Sequence, residues 1–233
     1  IDPGGRVHTF CCAVPGAWHV MGVTLAAGQS LKWYRDNFCG VDMAEAEKQG
    51  VDSYILLDKA AEAVPIGSNR LIYLPYLMGE RTPHLDPDCR GVFFGLSGMH
   101  TRYDLLRAVM EGVTFSLRDC AGILAEMGVQ PTEILACGGG GTSPLWRQMM
   151  ADILDCPVAT TVSREGPALG VAILAGVGAG VYASVEEGCR KLIAVNPSQP
   201  PIPQNTAQYD TYYARYQQLY PALQEQFHAL AAL

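Results

Sequence analysis

Four consecutive glycines, Gly138, Gly139, Gly140 and Gly141, followed by Thr142, Ser143 and Pro144, are the strongest candidate ligand-holding segment of this 233-residue chain. They come after an apolar run, residues 134–137, and before a stretch with helical spacing. Glycines at such a junction let the backbone approach a ligand closely, while the free amides and dipole of the first helical turn favour an anion. A phosphate there gains about 0.3–1 kcal/mol from the dipole, besides its hydrogen bonds. Ser143 and Pro144 equally suit a helix N-cap and the first helical position, so the segment also reads as a well-made helix start. It matches neither the dinucleotide fingerprint nor the Lys-containing phosphate loop.

A second polar group is the loop Gly79, Glu80, Arg81, Thr82, Pro83 and His84. Arg81 has the fork to clamp a phosphate or carboxylate, and Glu80, His84 or Asp86 could move protons. The alternative is a loop in which Glu80 and Arg81 pair with each other or with neighbours to hold its shape.

Composition removes several classes. Lys and Arg number 16 against 23 Asp and Glu, a formal charge of −7 with the basic residues scattered, so no nucleic-acid partner is expected. The eight cysteines, including the adjacent Cys11 and Cys12, lack the two-residue spacing of zinc or redox motifs. They read as small buried hydrophobes of a reducing cytosol, and no export leader opens the chain, so a cytoplasmic location is expected. Residues 166–185 carry no charge, but their Gly and Ala content predicts a buried helix packed through its glycines rather than membrane contact.

The elements that must position these groups follow from periodicity. Residues 7–14 and 18–24 read as strands turning at Pro15 and Gly16. Residues 30–38 read as a helix with Leu31, Tyr34 and Phe38 on one side, residues 42–63 as one or two solvent-facing helices, and 71–77 and 92–96 as strands flanking the polar loop. Thr101 and Asp104 open a long helix whose Leu106, Met110, Val113, Leu117, Cys120, Leu124 and Met127 form one apolar face, ended by Gly128 and Pro131. Strands at 134–137 and 158–162 alternate with helices at 143–154 and from Pro167. The stripe Tyr209, Tyr212, Tyr213, Tyr216, Tyr220 and Phe227 predicts a terminal helix docked on the core. Strand and helix in alternation predict a layered α/β domain.

Gly91, Val92, Phe93, Phe94, Gly95 and Leu96, then Asp104, Leu105, Ala108, Val109, Met110 and Glu111, resemble the second signature of the FGGY carbohydrate kinases. Residues 75–84 and 7–37 resemble the xylulokinase branch of that family, and the glycine run with Trp146, Gln148, Ala151 and Asp152, then residues 166–170, falls in its order and spacing. The resemblance covers nearly the whole chain. It implies an RNase H-like lobe of the actin, hexokinase and Hsp70 type, with a central mixed sheet flanked by helices and lacking its first hairpin. Residues 1–233 would then be the C-terminal, ATP-side domain of a kinase converting D-xylulose and ATP to D-xylulose 5-phosphate and ADP. Ribulose, gluconate or a polyol are alternative substrates, and a non-catalytic nucleotide-binding or interaction module is an alternative class.

The family's catalytic base is an Asp in a Gly-Asp-Asn context, and its sugar contacts lie mostly in an N-terminal domain. This sequence lacks that motif, and residue 1 falls after the position of the family's Gly-Thr-Ser hairpin, so the chain alone is expected to be inactive. By position, the resemblance implies ATP or ADP contacts at Gly98, Gly138, Gly139, Gly140 and Ser143, with residues 166–170 walling the adenine. It places Arg81 and His84 toward the interdomain cleft and leaves Mg²⁺ to travel with the nucleotide, with no metal ligands in this chain. A sheet cut before its first hairpin would expose an edge, so a homo-oligomer is a further expectation.

Overall fold

A computed structural model describes residues 1–163 and 165–233. Strand β1 (His8–Cys11) pairs antiparallel with β2 (Trp18–Met21), with Cys11 opposite Trp18 and His8 opposite Met21. The turn is the expected one: Gly16 takes φ +80°, a value open to glycine, and Ala17 N–H donates to Val14 O at 3.1 Å. Helix α1 (Ala27–Phe38) buries Leu31 and Tyr34 but leaves Phe38 half exposed. The charged segment forms two helices, α2 (Gly40–Gln49) and α3 (Ser53–Glu62), the second capped by the Asp52 side chain accepting from Tyr54 N–H.

Strand β3 (Ile72–Leu74) is buried and pairs antiparallel with β4 (Val92–Phe94). Both are shorter than the apolar runs suggested. Pro75 has no N–H to continue the ladder, and Gly95 turns away with its Cα against the Arg70 carbonyl. Helix α4 (Arg102–Glu126) starts with the predicted capping box, Thr101 and Asp104 each accepting the other's backbone N–H. Instead of one apolar face it is buried on all sides over residues 106–116, because α1, α3, β3 and other helices pack around it.

Strand β5 (Ile134–Leu135), helix α5 (Gly138–Thr142), helix α6 (Pro144–Leu154) and strand β6 (Val158–Ala159) follow, with β5 and β6 parallel. The chain continues through α7 (Pro167–Gly178), α8 (Val185–Leu192) and α9 (Pro203–Ala231). The predicted α/β character is present with both strand senses. Among the described residues, however, the strands form three two-stranded pieces, β1–β2, β3–β4 and β5–β6. Tyr209, Tyr216, Tyr220 and Phe227 of α9 are buried against α4, α6 and β3, as their spacing predicts. Asp152 of α6 fixes the start of α9, accepting from Ile202 N–H and Asn205 Nδ2, each at 2.8 Å.

Helix α7 departs from expectation. Only Ile173 is buried, while Val171 is 65% exposed. Its glycine packing is confined to one side, where Gly176 meets Tyr182 and Ile173 meets Gly188 of α8. The opposite face keeps its apolar side chains outward. Among the described residues no helix is long and apolar enough to cross a membrane.

The deepest polar contact is Arg107 with Glu111, Nε to Oε1 at 2.9 Å, both nearly fully buried. Glu111 also accepts from Gly67 N–H at 3.0 Å and Ser68 Oγ at 2.9 Å, while Arg107 donates to Ala61 O and Tyr209 OH, both at 3.1 Å. Removing one partner of a buried pair leaves an uncompensated charge. Glu111→Ala is expected to lower unfolding free energy by about 3–5 kcal/mol in urea titrations, and a loss below about 1 kcal/mol would show that the pair does not hold the core.

Candidate functional site

The glycine run forms a helical turn of its own, α5, rather than a loop before one helix. Ser143 interrupts it with extended backbone, φ −76° and ψ 117°, and α6 begins at Pro144. Ser143 Oγ accepts from Trp146 N–H at 3.0 Å, so the helix-cap reading of this serine holds. Two residues without an assigned role in the sequence reading brace the turn. Arg147 Nη1 donates to Gly141 O at 2.8 Å, and Trp146 Nε1 donates to Thr114 Oγ1 of α4 at 2.9 Å. Asp58 of α3 also approaches: burial raises its carboxyl above the usual range, opposed by the nearby Ser143 side chain.

The four glycines are glycine for different reasons. Gly138 has φ +71°, which a side chain disfavours. A Cβ on Gly141 would lie 2.7 Å from Ala136 O, so this position admits no side chain without moving backbone. A Cβ on Gly140 would touch the Trp146 ring at 3.4 Å, an ordinary packing distance. Gly139 has nothing within 4 Å of that point, and the Gly138 and Gly139 backbone is exposed. The chain's own packing therefore does not account for glycine at 139.

Gly98 lies on a separate segment, between β4 and α4, exposed and with open space where a Cβ would stand. The turn beside it is fixed by His100 Nδ1, which accepts from Ser97 N–H at 2.9 Å. Gly138, Gly139, Gly140 and Ser143 are thus gathered on one turn, and Gly98 comes from another element.

Arg81 and His84 belong to a different neighbourhood. Glu80 is 3% exposed and accepts from Thr24 Oγ1 at 2.7 Å, Leu25 N–H at 2.9 Å and Arg81 N–H at 2.8 Å. Burial raises its carboxyl while these donors pull it back. Asp86 accepts from Tyr220 OH at 2.8 Å and lies 3.1 Å from His228 Nε2. Burial opposes its charge, but the Asp88 N–H, Tyr220 and His228 together hold the carboxyl low. Glu80 therefore holds the loop through residues 24–25 and the Arg81 N–H, whereas the Arg81 side chain is exposed; Asp86 is held in the same way by α9.

His84 stacks flat on Tyr220, ring centroids 3.6 Å apart and 7° between planes. It borders an open cavity of about 330 Å³ shared with Arg6, Tyr76, Asp119, Tyr213 and Tyr216. The sequence reading missed Asp119, although Tyr213 OH donates to it at 2.6 Å and burial raises its carboxyl. Nothing in the sequence singled it out, because α4 also carries Arg102, Asp104, Arg107, Glu111, Arg118 and Glu126. Arg81 and His84 therefore stand on a loop clasped by α9, and the glycine turn on α4 and α6.

Burial lowers the His84 imidazole to about 4, partly offset by Asp86. A histidine held neutral by folding binds its proton first in the unfolded chain, so this group contributes stability that is lost as pH falls from about 6.5 towards 4. Proton NMR titration is expected to show the His84 ring neutral down to about pH 5. A midpoint near 6.5 would mean that the stacked geometry is not populated.

Residues 3–179 match the FGGY family of carbohydrate kinases, C-terminal domain. The xylulose kinase of Bacillus subtilis (strain 168) is 40% identical over 219 residues, covering 94% of this chain and 42% of that protein. The gluconokinase of the same strain is 35% identical over 236 residues, covering 99% of this chain and 45% of its own length. Among solved structures, the ligand-bound xylulose kinase of Lactobacillus acidophilus superposes with a TM-score of 0.84 at 29% identity, over 99% of this chain and 44% of that one. The chain thus spans less than half the length of each of these relatives.

Proposed function

This chain belongs to the FGGY family of carbohydrate kinases, as that family's C-terminal domain, and from that premise we propose that it is the nucleotide-holding lobe of an ATP-dependent sugar kinase acting on D-xylulose. The observation that carries the proposal is the open backbone at Gly139, where neither a positive φ, as at Gly138, nor a close contact, as at Gly141, calls for glycine. ATP or ADP lies against Gly138, Gly139 and Gly140, with Ser143 at the rim and Gly98 approaching from its own segment. Residues 166–170 are the N-cap and first turn of α7, which leaves an apolar side free for the adenine.

Phosphoryl transfer depends on positioning and on charge stabilisation, with a carboxylate accepting the hydroxyl proton. The residues above supply positioning. Mg²⁺ is assigned to the nucleotide phosphates, where it neutralises the charge that develops in the transfer. Glu80 and Asp86 are already committed to hydrogen bonds within the chain, which argues against either as the base. The base and the sugar contacts are therefore assigned to another domain, and Arg81 and His84 to positions bordering it. Gluconate is the second reading of the substrate, favoured by the gluconokinase similarity.

Calorimetry with ADP tests the nucleotide site. Gly139→Val fills space that the chain leaves open, so it is expected to keep wild-type thermal stability while losing the heat of ADP binding. Equal heats in wild type and variant would remove the glycine turn from the site. A coupled assay with D-xylulose and ATP is expected to give no turnover with this chain alone. ATP-dependent formation of D-xylulose 5-phosphate would overturn the assignment of the base to another domain.

A further inference from the structure

The β1–β2 hairpin carries chemistry that phosphoryl transfer does not use. Alternation places His8, Phe10 and Cys12 on one face, and the cross-strand register sets His19 opposite Phe10 on that same face. Phe10 stacks on His19 with ring centroids 5.5 Å apart and 25° between planes, and His8 follows 5.8 Å from Phe10. This stack orients the His19 ring so that Nδ1 lies 3.4 Å from Cys12 Sγ. The Cys12 backbone is pinned as well, its N–H donating to Ala17 O at 2.8 Å. We propose that Cys12, with His19 as its proton acceptor, is the thiol of this chain that exchanges with small disulfides, which makes the hairpin a site of S-thiolation.

The exchange balances without any further reactant. His19 Nδ1 takes the Cys12 proton, and the thiolate attacks one sulfur of a low-molecular-weight disulfide. A new S–S bond joins Cys12 to that sulfur as the old S–S bond breaks. The departing thiolate takes the proton from the imidazolium and leaves as a thiol. Cys12 is oxidised and the leaving sulfur reduced.

The other cysteines lack one requirement or the other, and half-buried Cys189 on α8 has no imidazole hydrogen-bonded to it among the described residues. Cys39, Cys89, Cys120 and Cys156 are buried, and burial pushes the thiols of Cys39 to about 11 and of Cys89 and Cys120 to about 12. Cys11 and Cys137 are exposed, but Cys11 points to the opposite face across from Trp18, and the contact of Cys137 is with the Leu135 carbonyl. Among the described residues, an imidazole within reach of a thiol and access to solvent coincide at Cys12.

The test is incubation of the chain with glutathione disulfide at neutral pH, trapping of free thiols, and peptide mass spectrometry of each cysteine with time. Cys12 is expected to be modified roughly tenfold faster than Cys11 or Cys137. His19→Asn keeps a hydrogen-bonding group near the Nδ1 position but removes the base, and is expected to slow Cys12 to the rate of Cys11. Added imidazole should restore the Cys12 rate in that variant, which a merely loosened hairpin would not allow. Equal rates at Cys12 and Cys11 in the wild type, an unchanged Cys12 rate in His19→Asn, or a slowed rate that imidazole does not rescue would each overturn the proposal.

Discussion

Arg107 and Glu111 sit one turn apart on α4 and fasten three other segments to it: the Ala61 carbonyl in the last turn of α3, the turn at residues 67–68, and Tyr209 of α9. A buried ion pair stabilises a fold only where the remaining lone pairs and protons are also satisfied. Here they are, since Glu111 accepts from Arg107, Gly67, Ser68 and Tyr209. Burial still raises the Glu111 carboxyl, against the pull of Arg107. The turn so held is costly by itself. Gly67, Ser68, Asn69 and Arg70 all take positive φ, between 47° and 78°, and three of them are not glycine. Two donors to Glu111 and the Asn69–Asp104 bond of 2.7 Å offset that strain.

The helix that carries this pair also sets the two functional neighbourhoods. Three residues beyond Glu111, Thr114 receives the Trp146 indole N–H beneath the glycine turn. One and a half turns further, Asp119 receives Tyr213 OH beside the cavity that His84 borders. Both neighbourhoods are therefore referenced to one rigid rod. Much of the sequence signature turns out to be architecture: Asp104 caps α4, Glu111 holds the strained turn, and Gly95 permits approach of the Arg70 carbonyl. Gly98 faces outward, as do the neighbouring Leu96 and Met99.

What could be read from the sequence was local. The capping box at Thr101 and Asp104, the Ser143 cap, the Pro15–Gly16 turn and the α9 aromatic stripe depend on neighbours within a few residues, and each is present. What could not be read was which side of an element meets another. Residues 106–116 look amphipathic by spacing, yet Arg107 and Glu111 are buried because their partners lie dozens of residues away. Helix α7 looks like core by composition, yet among the described residues its close contacts come from α8. Of the site, the glycine turn was legible from its residue types, whereas Arg147, Asp58 and Asp119 gave no signal because a lone charged residue does not disclose its partner. The loop at residues 79–84 was legible as a polar cluster but not as a structure clasped by α9.

Gly112 is where α4 and β3 approach most closely, since a Cβ there would lie 2.1 Å from the Tyr73 carbonyl oxygen. That contact acts as a detent. A helix with side chains along its whole length can creep past a strand by repacking, but one seated backbone to backbone at a single notch must lift away before it can slide or roll. Any opening or closing of this lobe about a ligand is thus denied to the α4–β3 seam and falls to the segments at its periphery. Redesign of the core meets the same limit, because no choice of larger residue at 112 can be accommodated by rotamers alone.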